Sequence, residues 1–215
     1  MLTPAPRRRF LVALASAALL SLAAAPAALR ADDNAVTVGK HEDWNDITQV
    51  EILQLFKVAA YKSIVVLPVE TKGAELPEKD NTSDAVAQAK GDLTANFVQG
   101  LKGEAPKGAS VVAGGVGGAG SLVVKTRLVK LTPGSQAARV FLGVAGQAAG
   151  AARVTMAGEV IDGGTKKVLF RFEQQRSSAA GSGGLIQTSN PYVRLLAQST
   201  KEIGEDVGEA LKKFK

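Results

Sequence analysis

The stretch ARVTMAGEVIDGGTKKVLFRFE, residues 152–173, decides the fold class because its polarity alternates on both sides of a turn. Apolar side chains occupy even positions before and after the turn, namely Val154, Met156, Val160, Val168, Phe170 and Phe172. Asp162-Gly163-Gly164 has the composition of a hairpin turn. Each strand is therefore expected to bury one face and expose the other, as in an antiparallel sheet covered on one side.

A helix is predicted upstream of this hairpin. Thr82 or Ser83 can cap its N-terminus, and apolar residues then recur at helical spacing as far as about Leu101. Gly100 and Gly103 are expected to end it.

Further elements complete the predicted fold. Asn190 and Pro191 begin a final helix with one apolar stripe. The apolar run Ser63–Glu70 predicts a strand buried on both faces near the middle of a sheet. Leu122–Leu131, rich in β-branched residues, predicts another strand. We therefore predict an α+β fold, a two-layer sandwich with helices packed on one face of a mainly antiparallel β-sheet.

Residues 1–31 have the composition of a secretory signal peptide. Arginines at positions 7–9 precede an uncharged run from Phe10 to Leu29, and small residues follow. We expect cleavage between Ala27 and Asp32 and a periplasmic or secreted protein. Two alternatives stay open. The run approaches the ~20 residues that span a bilayer and could remain as an anchor. The stretch RRRFL, residues 7–11, also fits the R-R-x-F-L core of a twin-arginine signal rather than an ordinary one.

Most of the excess positive charge belongs to the predicted signal. The whole chain has a net charge of +6, but residues 1–31 hold four arginines and no acid, which leaves 22 basic and 20 acidic side chains in the remainder. A net charge of +2 argues against nucleic acid binding, which needs a concentrated basic face. The chain has no cysteine, so it has no thiol chemistry and is not a lipoprotein anchored through cysteine.

Residues 32–62 form a polar lead-in to the predicted domain. Within it, Val50, Leu53 and Phe56 fall on one side at helical spacing, which predicts a short helix over Ile47–Ala60. Residues 63–215 are then expected to form a single α+β domain, since the chain is long enough for one core.

The stretch GGVGGAG, residues 114–120, contains a G-x-G-x-x-G spacing at Gly115, Gly117 and Gly120. A dinucleotide-binding turn of this kind needs a helix that begins at once and presents free N–H groups to the pyrophosphate. A β-branched run follows here instead, and the first acidic residue after the motif is Glu159. We predict a loop and no cofactor, and we expect Gly117→Ala to be nearly silent.

The only histidine, His41, is a weak candidate for catalysis or metal binding. It adjoins Glu42 and Asp43 in the lead-in, and two adjacent loop residues seldom hold a metal without a further ligand. A Ser-His-Asp triad would have to use the same histidine. We predict a solvated segment without a metal.

Paired carboxylates, as in glycosidases, would require one buried acid beside another. Glu159, Asp162 and Glu173 lie instead on the exposed face or turn of the predicted hairpin. Basic side chains on the same face, namely Arg153, Lys167 and Arg171, can pair with them. We therefore predict ordinary cross-strand ion pairs and no catalytic residues.

The uncharged stretch Val140–Ala152, just after Arg139, is the candidate interaction segment. Gly143, Gly146 and Gly150 give it a small-residue face of the kind that lets backbones meet closely. It is too short to span a bilayer as a helix. An interaction loop, a self-association surface, an interfacial segment and a glycine-kinked strand in the core all stay open.

Several segments of the chain resemble a bacterial family known as domain of unknown function 4410. They are LTPGS (131–135), RVFLGVAG (139–146), and the turn DGGT (162–165) after a strand. The earlier strand Ser63–Glu70 and its following helix also fit the family's layout. The resemblance implies a small envelope-associated α+β domain, and it supplies no catalytic residues.

These patterns together favour an exported, non-enzymatic module that binds a ligand or assembles with an envelope partner. The partner is expected to be another envelope protein or a second copy of the chain, with peripheral membrane contact as a further expectation. The alternative is a periplasmic hydrolase whose site combines scattered carboxylates with His41.

Overall fold

Seven strands form one sheet within the residues that the structure, a computed structural model, describes: 36–77, 81–134, 151–178 and 191–215. The strands are β1 (Gly39–Trp44), β2 (Ile47–Ile52), β3 (Ser63–Val66), β4 (Ser110–Ala113), β5 (Ser121–Thr132), β6 (Ala152–Asp162) and β7 (Val168–Ser178). The helices are α1 (Thr82–Glu104) and α2 (Pro191–Lys212).

The sheet is antiparallel over most of its width and parallel at one side. Its strand order is β1-β2-β7-β6-β5-β3-β4. Neighbours from β1 to β5 pair antiparallel, whereas β3 pairs in parallel with both β5 and β4. Helix α1 makes the crossover that joins the parallel pair β3 and β4. The predicted α+β fold, with helices packed on a mainly antiparallel sheet, is confirmed.

The β6–β7 hairpin forms as predicted and buries most of the even-numbered apolar residues. Val160 pairs with Phe170, and Gly158 pairs with Phe172. Val160 and Phe170 are fully buried. Position 158 must be small, since a Cβ there would lie 2.5 Å from the Phe172 ring. The alternation of polarity therefore separates a helix-covered face from an open face, as expected.

The predicted short helix over residues 47–60 is wrong. Ile47–Ile52 is strand β2, and only Val58–Ala60 form a single 3-10 turn. Val50 and Ile52 pack into the core at strand spacing, whereas Leu53 is exposed. Strand β1 pairs with β2, and residues 32–215 form one compact unit, so the polar lead-in is part of the sheet.

The two helices contact each other closely through glycines. A Cβ at Gly100 would overlap the carbonyl oxygen of Lys201, and one at Gly204 would overlap that of Phe97. Gly100 was expected to end α1, but the helix continues to Glu104. Gly100 instead permits backbone-to-backbone contact between α1 and α2.

Residues 114–120 form a loop between β4 and β5, as predicted for the G-x-G-x-x-G stretch. The loop is tightly held, because Gly117 accepts a hydrogen bond from Lys166 Nζ at 2.6 Å. A Cβ at Gly117 would overlap the side chain of Val123. The expectation that Gly117→Ala is nearly silent is therefore wrong.

Candidate functional site

The face of the sheet opposite the helices, called here the open face, carries a row of charges of alternating sign. Strand pairing places the row side by side from β1 to β5: Lys40, Glu51, Arg171, Glu159 and Lys125. We call this set the charge row. Opposite charges directly across neighbouring strands stabilise the pairing register.

Ion pairs neutralise most of the charge row. Arg171 Nε donates to Glu159 Oε1 at 2.9 Å, and its Nη1 donates to Glu51 Oε2 at 3.4 Å. These hydrogen bonds, the one to Glu159 first, raise the pKa of the Arg171 guanidinium. Lys125 Nζ lies 3.3 Å from Glu70 Oε1. The predicted cross-strand pairing of the hairpin acids is thus confirmed for Glu159 and Arg171.

A second row of residues, one pleat along the same face, differs from the charge row. It contains Glu42, Gln49, Glu173, Ala157 and Arg127 in neighbouring strands. Among the described residues, no ion pair involves Glu42, Glu173 or Arg127. Glu173 and Arg127 flank Ala157 two strands apart, a separation of about 10 Å at ordinary strand spacing.

The two rows line a trough of about 620 Å³ that extends from β1 to β5. On β6 it is lined by the small residues Ala157 and Gly158, and Ala157 leaves room between Glu173 and Arg127 on the two flanking strands. Of the described side chains outside ion pairs, Glu42 lies at the β1 end of the trough, Glu173 on its central strand β7, and Arg127 at the β5 end. This arrangement can accommodate a polar ligand or segment that carries both signs of charge.

His41 also lines this trough, in strand β1 rather than in a loop. Its Nε2 donates to the carbonyl oxygen of Thr37 at 2.8 Å, which leaves Nδ1 as the acceptor nitrogen of the ring. In the described part of the chain, no hydroxyl group donates to that nitrogen. The pairing of His41 with Val50 puts the imidazole on the helix-covered face, 6.4 Å from the ring of Trp44, so the structure does not bring it together with the acids of the open face.

Asp162, the remaining acid of the hairpin, lies outside the trough. Its Oδ1 accepts from the backbone nitrogens of Thr165 at 2.6 Å and Gly164 at 2.9 Å, and its Oδ2 accepts from the Tyr61 hydroxyl at 2.6 Å. The backbone bond from Thr165, then the Tyr61 bond, lower the pKa of Asp162. Burial, followed by the bond to Asp162, raises the pKa of Tyr61 to about 12. Asp162 therefore stabilises its turn.

A polar cluster inside the domain was missed by the sequence analysis. Gln174 Nε2 donates to Asp206 Oδ2 at 2.5 Å and to the Asp46 carbonyl at 2.7 Å, while its Oε1 accepts from the Thr48 hydroxyl at 2.8 Å. Arg176 Nε donates to Asp206 Oδ2 at 2.8 Å. Burial raises the pKa of the Asp206 carboxyl despite these donors. The cluster ties β7, α2 and the β1–β2 turn together.

Two sequence signals could have revealed this cluster. Gln174 occupies the next even position after Phe170 and Phe172, where the alternation demands a buried side chain. Asp206 lies three residues after Ile203 and four before Ala210, on the buried stripe of α2. A polar residue at a buried register position predicts a hydrogen-bonded partner.

The candidate interaction segment cannot be placed in the fold. Arg139, Gly143, Gly146 and Gly150 lie outside the described residues. In the described ranges, no group of three His, Asp or Glu side chains is arranged to hold a metal ion. None of the described helices is both long enough and apolar enough to cross a membrane.

Comparison with known proteins places the chain in a family. A family model described as "Domain of unknown function (DUF4410)" matches residues 21–182. The chain belongs to this family. The match includes the trough from β1 to β7 and confirms the resemblance drawn from the sequence. No curated protein sequence matches the chain.

Two kinds of solved structure are similar to this member of the family. A variant of PelC from Paraburkholderia phytofirmans, a dodecamer, shares 14% identity at a TM-score of 0.44, covering 75% of this chain and 95% of that one. Another PelC dodecamer from the same organism shares 11% identity at a TM-score of 0.42. Protein XCC0632 from Xanthomonas campestris, of family-model DUF330, shares 11% identity at a TM-score of 0.31, covering 82% of this chain and 90% of that one.

Proposed function

We propose that this protein is an exported, non-enzymatic module that binds a partner or ligand of the cell envelope through the trough on its open face. The observation that supports the proposal is the trough itself. It spans five strands, and its second row holds Glu42, Glu173 and Arg127 outside the ion pairs of the described residues. A ligand with complementary charges would find partners there without breaking the charge row.

The trough is better suited to binding than to hydrolysis. Glu159, on the strand next to the central one of the trough, is held by Arg171. General acid catalysis at neutral pH needs a carboxyl group whose pKa is raised by an apolar or like-charged setting. The setting of Glu159 is instead charged and of opposite sign, since a guanidinium lies 2.9 Å from its Oε1.

The hydrolase alternative has one observation in its favour, because five acids and His41 are among the residues that line the same trough. That alternative requires His41 for turnover. Substitution of His41 by alanine would then abolish hydrolysis of any substrate found, whereas a binding module would retain its ligand after the same change.

Site-specific photo-cross-linking tests the proposed binding face in the cell. A photoreactive aromatic residue at position 157 would place the reactive group in the middle of the trough, and one at position 90, on the exposed side of α1, serves as the control. We expect adducts from position 157 alone, and their loss in Arg127→Glu. Equal yields at both positions, or none at position 157, would contradict the proposal.

Export is tested separately by fractionation and mass. We expect the protein in the periplasmic or secreted fraction with a mass that corresponds to cleavage between Ala27 and Asp32. A membrane-bound protein that retains residues 1–31 would contradict the proposed localisation, but it would leave the open face available for the cross-linking test.

A further inference from the structure

One end of the sheet presents a set of exposed aliphatic side chains. At this end, called here the loop end, β1, β3, β4, β5 and β7 begin, and β2 and β6 finish, as the pairing of Gly39 with Ile52 and of Leu122 with Asp162 requires. Exposed aliphatic residues lie in the segments next to these strand ends: Val38, Leu53, Leu55 and Val116. Val116 is 94% exposed and Leu55 is 53% exposed.

Val116 is held out toward solvent by a well-anchored loop. Lys166 Nζ donates to the carbonyl oxygens of Gly117 and Gly163, both at 2.6 Å, and thereby joins the glycine loop to the β6–β7 turn. The backbone nitrogen of Lys62 donates to the Gly120 carbonyl at 2.8 Å. A fixed loop that exposes an aliphatic side chain loses little conformational entropy when that side chain is buried by a partner.

Lysines lie in the same chain segments, at the same end of the sheet. The backbone bond from Val58 to Phe214, at 2.9 Å, brings the C-terminus of α2 to the same end of the domain. Besides Lys166, the exposed lysines in the segments of the loop end include Lys57, Lys62, Lys107, Lys167, Lys213 and Lys215. None of them forms an ion pair with a described residue.

Among the residues that the structure describes, the acids near the loop end are few and mostly engaged. Glu104 pairs with Lys212, and Asp162 is held by Tyr61 and the amides of its turn. Glu209 is a further exposed acid in the last turns of α2. The net charge of +2 for residues 32–215 is therefore unevenly distributed, because the fold brings an excess of positive charge together at the loop end.

From this combination we infer that the loop end is a docking surface for an anionic lipid bilayer. Lysine side chains attract anionic headgroups, and short aliphatic side chains can enter the boundary between headgroups and acyl chains. Surfaces for single-stranded nucleic acid add aromatic rings that stack on bases, whereas the exposed apolar side chains of the loop end are aliphatic. The inference does not rest on the proposed function of the open face, since it uses different residues.

Vesicle co-sedimentation tests the inference with the compact unit, residues 32–215. The probe is an equal mixture of phosphatidylglycerol and phosphatidylcholine, compared with phosphatidylcholine alone. We expect binding only to the anionic vesicles and release at high salt. The double variant Lys62→Gln/Lys167→Gln should weaken binding about 30-fold, at the usual contribution of a lysine near an anionic surface.

Matched variants separate docking from net charge and from the trough. Lys72→Gln/Lys90→Gln changes the net charge equally but lies away from the loop end, so it should bind almost as the unchanged protein does. Val116→Asp, at an exposed position, should also weaken binding without lowering Tm. Arg127→Glu, in the trough, should leave vesicle binding intact.

Three results would overturn the inference. Equal weakening by the two lysine pairs would mean a nonspecific charge effect. Equal binding to phosphatidylcholine alone would mean that the charge plays no part. Binding to duplex DNA that competes fully with the anionic vesicles at the same salt concentration would identify a general polyanion surface rather than a membrane surface.

Discussion

The close contact between α1 and α2 predicts a specific response to a single methyl group. A Cβ at Gly204 would overlap the carbonyl oxygen of Phe97 and lie 3.0 Å from the backbone nitrogen of Leu101. Both neighbours are backbone atoms, so neither can turn aside as a side chain would. Overpacking of this kind costs about 1–3 kcal/mol, although alanine gains up to about 1 kcal/mol in helix propensity. We expect Gly204→Ala to lower the stability.

Gly91→Ala is the matched control, since Gly91 is in the middle of α1 with no atom within 4 Å of its added Cβ. This variant should gain the helix propensity of alanine without a steric overlap, and it should raise Tm by about 2–4 °C. The two variants should therefore differ by about 1–3 kcal/mol in the free energy of unfolding, measured by urea titration with circular dichroism. Equal stability of the two variants would refute the contact argument.

Three further predictions concern the loops and the buried cluster. Gly117→Ala should lower Tm because its Cβ overlaps a valine side chain, whereas Gly118→Ala, with no atom within 4 Å, should not. Tyr61, whose pKa is raised to about 12 from 10.0, contributes stability that is complete below pH 10 and lost between pH 10 and 12. Tyr61→Phe should therefore lose less stability over that pH range in urea titrations. An unchanged dependence of the unfolding free energy on pH would contradict this. Asp206→Ala should destabilise the domain by up to about 3 kcal/mol. This is the low end for a broken buried pair, because the side chain of Arg176 is one-third exposed. A change in unfolding free energy below experimental error in urea titration would exclude a stabilising pair.

The hairpin could be predicted in detail because its information is local. Strands β6 and β7 are adjacent in the chain, and a short turn connects them, so the alternation of polarity fixes both the register and the buried face. The ion pair of Glu159 with Arg171 follows from the same register. The neighbours of this ion pair, Glu51 on β2 and Lys125 on β5, could not be predicted in this way, because they depend on the order of the strands in the sheet.

Strand β2 could not be predicted in this way because its partner is distant in sequence. Gln49 pairs with Glu173 and Ile52 pairs with Phe170, so the strand is stabilised by residues more than a hundred positions away. Without that pairing, Val50, Leu53 and Phe56 fit a helix equally well. Short segments of mixed polarity are decided by tertiary contacts more than by local preference.

The trough illustrates the same limit for the candidate site. Its acids and Arg127 were individually visible as exposed residues of strands, but Glu42 and Gln49 belong to a segment predicted as a lead-in. Only the insertion of β2 beside β7 brings them next to Glu173. His41 reaches the trough for the same reason, through the pairing of β1 with β2.

The glycine spacing that resembles a nucleotide-binding turn has a conformational origin in this fold. β4 ends beside Val66 and β5 begins beside Ser63, so residues 114–120 must return along the whole of β3. Three of the glycines there have positive φ, and Gly117 passes against the side chain of Val123. Parallel strands usually need a much longer connection, and a short one requires backbone conformations that glycine adopts most readily. A phosphate-binding turn would instead need a helix where β5 begins, so the motif follows from the chain's path rather than from a ligand.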